Sequence, residues 1–239
     1  MRRLAAFALA TLAFALPAAS AGPAQLTVLA ASSLTDVLPA LDHAERYSFG
    51  GSDSLAFQIR QGAPADVFAA ASPKYHEQLY RQRLVEKPVA FATNSLVLVV
   101  PRSNPARIRS VFDLRRRGIK LVVAAAGAPI GDYTRKVLAE LGLTKVLANV
   151  VSEETDARGV VGKVALGEAD AGFVYVTDVR SVAGKVRSIA IPARAQPTVR
   201  YEVAVVKSSK HLAAAHAFVR LLLGPDGRRE LRRLGFGLP

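Results

Sequence analysis

Four places along this chain share one pattern, in which an apolar run gives way to a short stretch of small or hydroxyl-bearing residues and then to a helix start. They are 31–34 (ASSL), 50–55 (GGSDSL), 128–133 (APIGDY) and 156–160 (DARGV). The first turn of a helix carries N–H groups with no intrahelical acceptor and a partial positive charge. Small residues there let an anion come close to those donors. The chemistry implied is the capture of an anion by uncharged donors. Other readings compete at each place. Ser33 and Ser52 also suit plain helix N-caps, and Tyr175 also suits an ordinary core strand. Asp156 and Arg158 suit either a local salt bridge or the lining of a cleft, and Tyr133 suits helix packing.

Catalytic alternatives find little in the sequence. The histidines are His43, His76, His211 and His216. The last two are five apart, so they do not share a helix face as a metal pair would, and all four read as surface residues. No G-x-S-x-G elbow is present. Gly162-Lys163 and Gly184-Lys185 lack the Ser or Thr that follows in a phosphate-binding P-loop. No two carboxylates stand out as an acid–base couple. There is no cysteine, hence no thiol nucleophile, no disulfide and no Cys-bound zinc. No cofactor and no free metal cation is expected.

The elements that must position these loops alternate. Apolar, β-rich runs at 25–31, 47–49, 65–70, 96–100, 120–125, 149–151, 171–176 and 199–206 are separated by helical patterns at 34–41, 55–60, 73–79, 111–117, 133–141, 157–166, 212–223 and 227–234. Strands alternating with helices argue an α/β fold with mostly parallel sheets. Ligands of such sheets bind at the carboxyl ends of strands, where the four loops fall.

Length and composition fit this picture. A chain of 239 residues that is 51% hydrophobic and 21% charged can bury a core, as one large domain or two lobes. Residues 1–21 read as an export signal. Arg2 and Arg3 precede an apolar run at 4–16, and Ala19-Ser20-Ala21 fits a small-x-small cleavage site. The run is short for a membrane span. With no cysteine to carry a lipid, a soluble periplasmic protein is expected and not a lipoprotein. The formal net charge of +13 invites a nucleic-acid reading, but no recognition motif accompanies the arginine runs at 115–117 and 228–233. They are read as solvated faces that can also steer an anion inward.

Five segments in order, 28–35 (VLAASSLT), 62–68 (GAPADVF), 94–101 (NSLVLVVP), 171–175 (AGFVY) and 201–206 (YEVAVV), give a more specific signal. Together they resemble the periplasmic molybdate-binding proteins of ABC transporters. The resemblance implies a two-lobed periplasmic-binding-protein-like fold (type II) with two mixed, mostly parallel sheets and a ligand cleft between the lobes. Lobe one would comprise 22–98 and 200–239, and lobe two 99–199, with crossings near 97–100 and 199–201.

It also implies that molybdate, and tungstate with it, is held by neutral hydrogen bonds. Ser33 and Ser52 would donate hydroxyl and N–H, Ile130 and Ala157 backbone N–H, and Tyr175 its phenol. The partners implied are the oxoanion and an inner-membrane ABC permease, the chain being monomeric. Three departures from the family pattern stand out. The stretch from Ser33 to Phe49 is short, Ile130 is bulky, and Asp53 adjoins Ser52. A carboxylate facing a dianion is strongly unfavourable in a dry cleft, so Asp53 must point away or the ligand must carry a proton. Two other readings stay open: a binding protein for phosphate or sulfate, and an exported hydrolase or interaction domain using the basic surface.

Overall fold

The computed structural model describes residues 25–239; the export-signal assignment at 1–21 lies outside them. The chain runs β1 (Thr27–Ala31), α1 (Val37–Leu41), β2 (Arg46–Gly50), α2 (Ser52–Arg60), β3 (Val67–Ala70), α3 (Pro73–Arg81) and β4 (Val89–Asn94). Then follow β5 (Leu96–Pro101), β6 (Leu121–Ala124), α4 (Pro129–Glu140), β7 (Val150–Glu154), α5 (Ala157–Leu166), β8 (Ala171–Tyr175) and β9 (Val186–Ala190). It ends with β10 (Val199–Val205), α6 (Leu212–Leu223) and α7 (Pro225–Arg233).

Two five-stranded sheets result, ordered β2-β1-β3-β10-β4 and β7-β6-β8-β5-β9. In each, four strands point one way and one, β10 or β5, runs against both of its neighbours. The sheets are therefore mixed, with as many antiparallel pairings as parallel ones, because β5 and β10 enter each sheet from the opposite end after crossing between lobes. Central strands β1, β3, β6 and β8 are buried along almost their whole length. That is why their sequences are continuous apolar runs. Edge strands β2, β7 and β9 alternate or face solvent. VRSIA of β9 carries no strong β pattern, which hides this strand in the sequence.

The core follows the two-residue period of the strands. Val28 and Ala30 pack toward α1 and the larger core cluster, while Leu29 and Phe68 pack with Leu55, Ile59 and Leu79 of α2 and α3. Full burial of side chains such as Leu55 and Ile59 stabilises the lobe by about 1.5–3 kcal/mol each. His76 sits in this second layer. It is fully buried, its ring packs on Phe68 with centroids 4.6 Å apart, and its Nε2 lies 3.1 Å from the Phe68 carbonyl. Desolvation lowers its pKa to about 4. The surface assignment of His76 is thus corrected: it lies on the inner face of α3, whose polar residues otherwise face outward.

The crossings also differ from expectation. Residues 97–100 lie inside β5, pairing with β8 and β9, and Val199 already pairs with Asn94 in the first sheet. Strand-to-strand passage occurs at Ser95 on the way out and through 191–198 on the way back. The boundaries expected at 98/99 and 199/200 therefore fall within strands. Gln196 ties the two crossings together, accepting from Leu96 N–H at 3.1 Å and donating to its carbonyl at 2.8 Å.

Candidate functional site

The carboxyl ends of β1, β2 and β3 in one lobe face the starts of α4 and α5 in the other. Between them lies a small hollow. Ser33, Ser52, Ile130, Ala157 and Tyr175 all line it. The five residues singled out in the sequence are thus brought to one hollow. Among the described residues no Lys, Arg or His lines it.

On the lobe-one side, β1 ends in a single 3-10 turn, Ser32–Leu34, and α2 opens at Ser52 after Gly51. Neither serine is a helix cap: the N-cap positions are Ala31 and Gly51, and no side chain caps either turn. Ser52 Oγ instead accepts the Ala71 N–H at 3.1 Å, pinning the start of α2 to the end of β3. A hydroxyl that accepts in this way keeps its proton for the cavity. Ser33 Oγ lies 2.9 Å from Tyr201 Oη. The N–H groups of Ser33 and Ser52 have no acceptor among the described residues, as expected for first-turn positions.

On the lobe-two side two of the donors are main chain. Ile130 and Ala157 sit in the first turns of α4 and α5, and their N–H groups likewise find no acceptor among the described residues. Two glycines let these helices approach their sheet. A Cβ on Gly131 would come within 2.0 Å of the Ala125 carbonyl, and one on Gly172 within 2.7 Å of Val160 Cγ1. Gly172 is the glycine of AGFVY, and it seats α5 directly on β8. The Ile130 side chain joins the main core, so its bulk is absorbed behind the wall.

Tyr175 closes β8. Its ring meets Tyr201 edge-on, with centroids 6.0 Å apart, and its hydroxyl is buried with no partner among the described residues. Burial holds its pKa well above the usual 10, so the phenol remains a donor. An unpaired buried hydroxyl costs about 1–3 kcal/mol. A site that supplies an acceptor recovers this.

The charged neighbours are turned elsewhere. Asp53 does not line the cavity. Asp156 does, but its Oδ1 accepts from the Arg158 and Gly159 N–H groups at 2.8 and 3.1 Å, as the N-cap of α5. Arg158 pairs with neither Asp156 nor the cavity. Its Nη2 reaches Asp36 of lobe one at 2.6 Å, and its Nε lies 3.5 Å from the buried Asp178. Burial pushes the Asp178 carboxyl up to about 7, with Arg158 opposing. Asp178 Oδ2 accepts the Tyr175 N–H at 3.0 Å, fixing the turn that presents the phenol.

Further contacts span the lobes. Lys74 of α3 meets Asp132 of α4 at 2.9 Å, and the Tyr75 hydroxyl donates to the Gly127 carbonyl. A Cβ on Gly51 would lie 2.6 Å from the Thr155 carbonyl. The conformation is closed. Asn94 and Tyr201, which stand behind Ser33, escaped the sequence reading as site residues. Their motifs were noticed, but a Tyr in a buried strand and an Asn at a strand end carry no signal of their own.

Comparison with known proteins agrees with this geometry. The model of the bacterial extracellular solute-binding protein family matches residues 26–237. The chain is 38% identical to the molybdate-binding protein ModA of Mycobacterium bovis over 93% of its length and 90% of that protein. It is 30% identical to ModA of Haemophilus influenzae over 99% of both. Its fold superimposes on the periplasmic molybdate-binding protein of Azotobacter vinelandii with a TM-score of 0.81, at 26% identity, covering 90% of this chain and all of that one. With its two mixed sheets and the cleft between them, this chain belongs to the bacterial extracellular solute-binding protein family.

Proposed function

We propose that this protein captures molybdate in the periplasm, with tungstate as an equivalent ligand, and delivers it to an ABC importer. The observation that carries the reading is the convergence of uncharged donors from both lobes on one small hollow, with a buried phenol left unpaired in its wall. Tetrahedral oxoanions without protons only accept hydrogen bonds. A cavity lined by N–H and O–H groups matches them, and it needs no cationic side chain, because first-turn N–H groups already carry partial positive charge. The likeness to proteins named as molybdate-binding supports the choice of anion.

In this mechanism the anion docks first on Ser33 and Ser52 of lobe one. Lobe two then closes by hinging at Ser95 and 191–198, bringing the N–H groups of Ile130 and Ala157 and the Tyr175 phenol. Closure excludes water and strengthens each hydrogen bond. The Lys74–Asp132 and Arg158–Asp36 pairs form with it, marking the closed state for the permease. One chain binds one anion, and the protein acts as a monomer. No chemical step on the ligand is involved.

The phosphate alternative relied on Asp53 as acceptor for a ligand proton, and Asp53 stands outside the wall. A thermal-shift screen tests the proposal. Molybdate and tungstate are expected to raise Tm by similar amounts, as ligands that bind only the folded state must. Sulfate and phosphate are expected to raise it much less at equal concentration. A larger shift with phosphate or sulfate would replace molybdate as the ligand.

A further inference from the structure

Behind Ser33 runs a hydrogen-bond chain that starts at the exposed crossing between lobes and ends in the buried interior. The Ser95 N–H donates to Asn94 Oδ1 at 2.9 Å. This fixes the amide orientation, since only the oxygen can accept there. Asn94 Nδ2 therefore donates, to Thr177 Oγ1 at 2.9 Å and to Tyr201 Oη at 3.3 Å. Tyr201 is fully buried and hemmed in by the rings of Phe91, Tyr175 and Phe236. Its oxygen is already an acceptor, and the one remaining polar neighbour is Ser33 Oγ at 2.9 Å. If Ser33 donated to Tyr201, the phenol proton would be buried without a partner. Only one direction satisfies every group: Asn94 to Tyr201, Tyr201 to Ser33, and Ser33 into the cavity.

We propose that Tyr201, held by Asn94, is a positioning residue that fixes Ser33 as a donor and so biases the cavity toward oxoanions carrying no proton. The inference rests on the oxoanion reading above. A ligand O–H placed against Ser33 would meet an oxygen that already accepts from Tyr201 and whose own proton points into the hollow, which makes it a poor acceptor there. Asp156, the one carboxylate in the wall among the described residues, is the same with or without Tyr201, so it does not enter the comparison.

The test is calorimetric titration of molybdate, sulfate and phosphate, the last always protonated near neutral pH, into the unmutated protein, Tyr201→Phe, Ser33→Ala and the double variant. Tyr201→Phe is expected to weaken molybdate binding about five- to tenfold, as for one lost orienting hydrogen bond. Phosphate binding should change less than about twofold, so the molybdate-to-phosphate preference falls. In the Ser33→Ala background, Tyr201→Phe should move neither ligand, because the relay then has nothing to orient. Asn94→Ala leaves the phenol in place but frees its oxygen to accept. It should shift the preference the same way, and it serves if Tyr201→Phe does not fold. An unchanged preference in these variants, or an equal loss in the Ser33→Ala background, overturns the proposal. If the unmutated protein prefers sulfate to molybdate, the choice of molybdate falls, and the relay is judged on the sulfate-to-phosphate preference. If it prefers phosphate, or binds none of the three, the relay falls as well.

Discussion

The two walls of the cavity make the same kind of contact by different means. Lobe one presents side-chain hydroxyls, Ser33 and Ser52, each backed by a buried donor that fixes its proton direction. Lobe two presents main-chain N–H groups of Ile130 and Ala157, whose side chains merge into the core, with the Tyr175 phenol as its side-chain donor. The first wall depends on residue identity. The second depends on where helices begin and how closely they sit on their sheet. A side chain on the lobe-two wall can therefore vary without loss, provided the backbone beneath it stays in place.

The sharpest way to break this comparison is to delete a main-chain donor. Ala157 is the first residue of α5, where proline is tolerated, and Asp156 before it is extended (φ −159°, ψ 179°). Ala157→Pro should fold with an unchanged ligand-free Tm yet lose about 3 kcal/mol or more of binding, roughly a hundredfold in Kd by calorimetry. Ala157→Ser should bind as the parent does. If the proline variant binds normally, the main-chain wall makes no contact with the anion.

Deleting the side-chain donors comes next. Ser33→Ala and Ser52→Ala should each weaken molybdate binding by about 1.5–3 kcal/mol, the worth of a hydrogen bond to a charged group. Ser52→Ala should also lower the ligand-free Tm, since it strands the Ala71 N–H.

The bridge between the walls is expected to matter less. Asp36→Asn removes the lobe-one partner of Arg158. It should weaken binding by at most about 1 kcal/mol at low salt, and the difference should fade at 1 M salt as screening sets in. A large effect would move Arg158 from latch to ligand contact.

The last prediction concerns stability and not binding, a pH dependence behind the lobe-two wall. Asp178 has a folded pKa raised to about 7, so its contribution to stability is present below about pH 4 and is lost as pH rises through 7. Asp178→Asn cannot ionise, and it keeps an acceptor for the Tyr175 N–H. Thermal melts should show the variant gaining on the parent between pH 4 and 7. Parallel curves over that range would show that Asp178 does not titrate there.

The difference between the walls also governs what the sequence reveals. Continuous apolar strands such as LVVA of β6, and hydroxyls in ASSL and GGSDS, announce themselves by residue type. Ile130 and Ala157 do not. As backbone donors they were reached only through the family resemblance, and their signal lies in the neighbouring Gly131 and in the helix starts. The crossings were misplaced because the apolar run at 96–100 looks the same whether it bridges lobes or pairs within a sheet. His76 was misread because one polar residue on the buried face of a nine-residue helix leaves no trace in composition. The Asn94–Tyr201–Ser33 chain joins residues 107 and 168 positions apart, a proximity created by the crossing alone.

The most direct test of an oxoanion held between two uncharged walls is a calorimetric titration of molybdate into the ligand-free protein, with Ser52→Ala and Ala157→Pro in parallel. A single tight site at one anion per chain, weakened by either substitution, is the expected result. A site of unchanged affinity in both variants, or no binding by the parent, would contradict it.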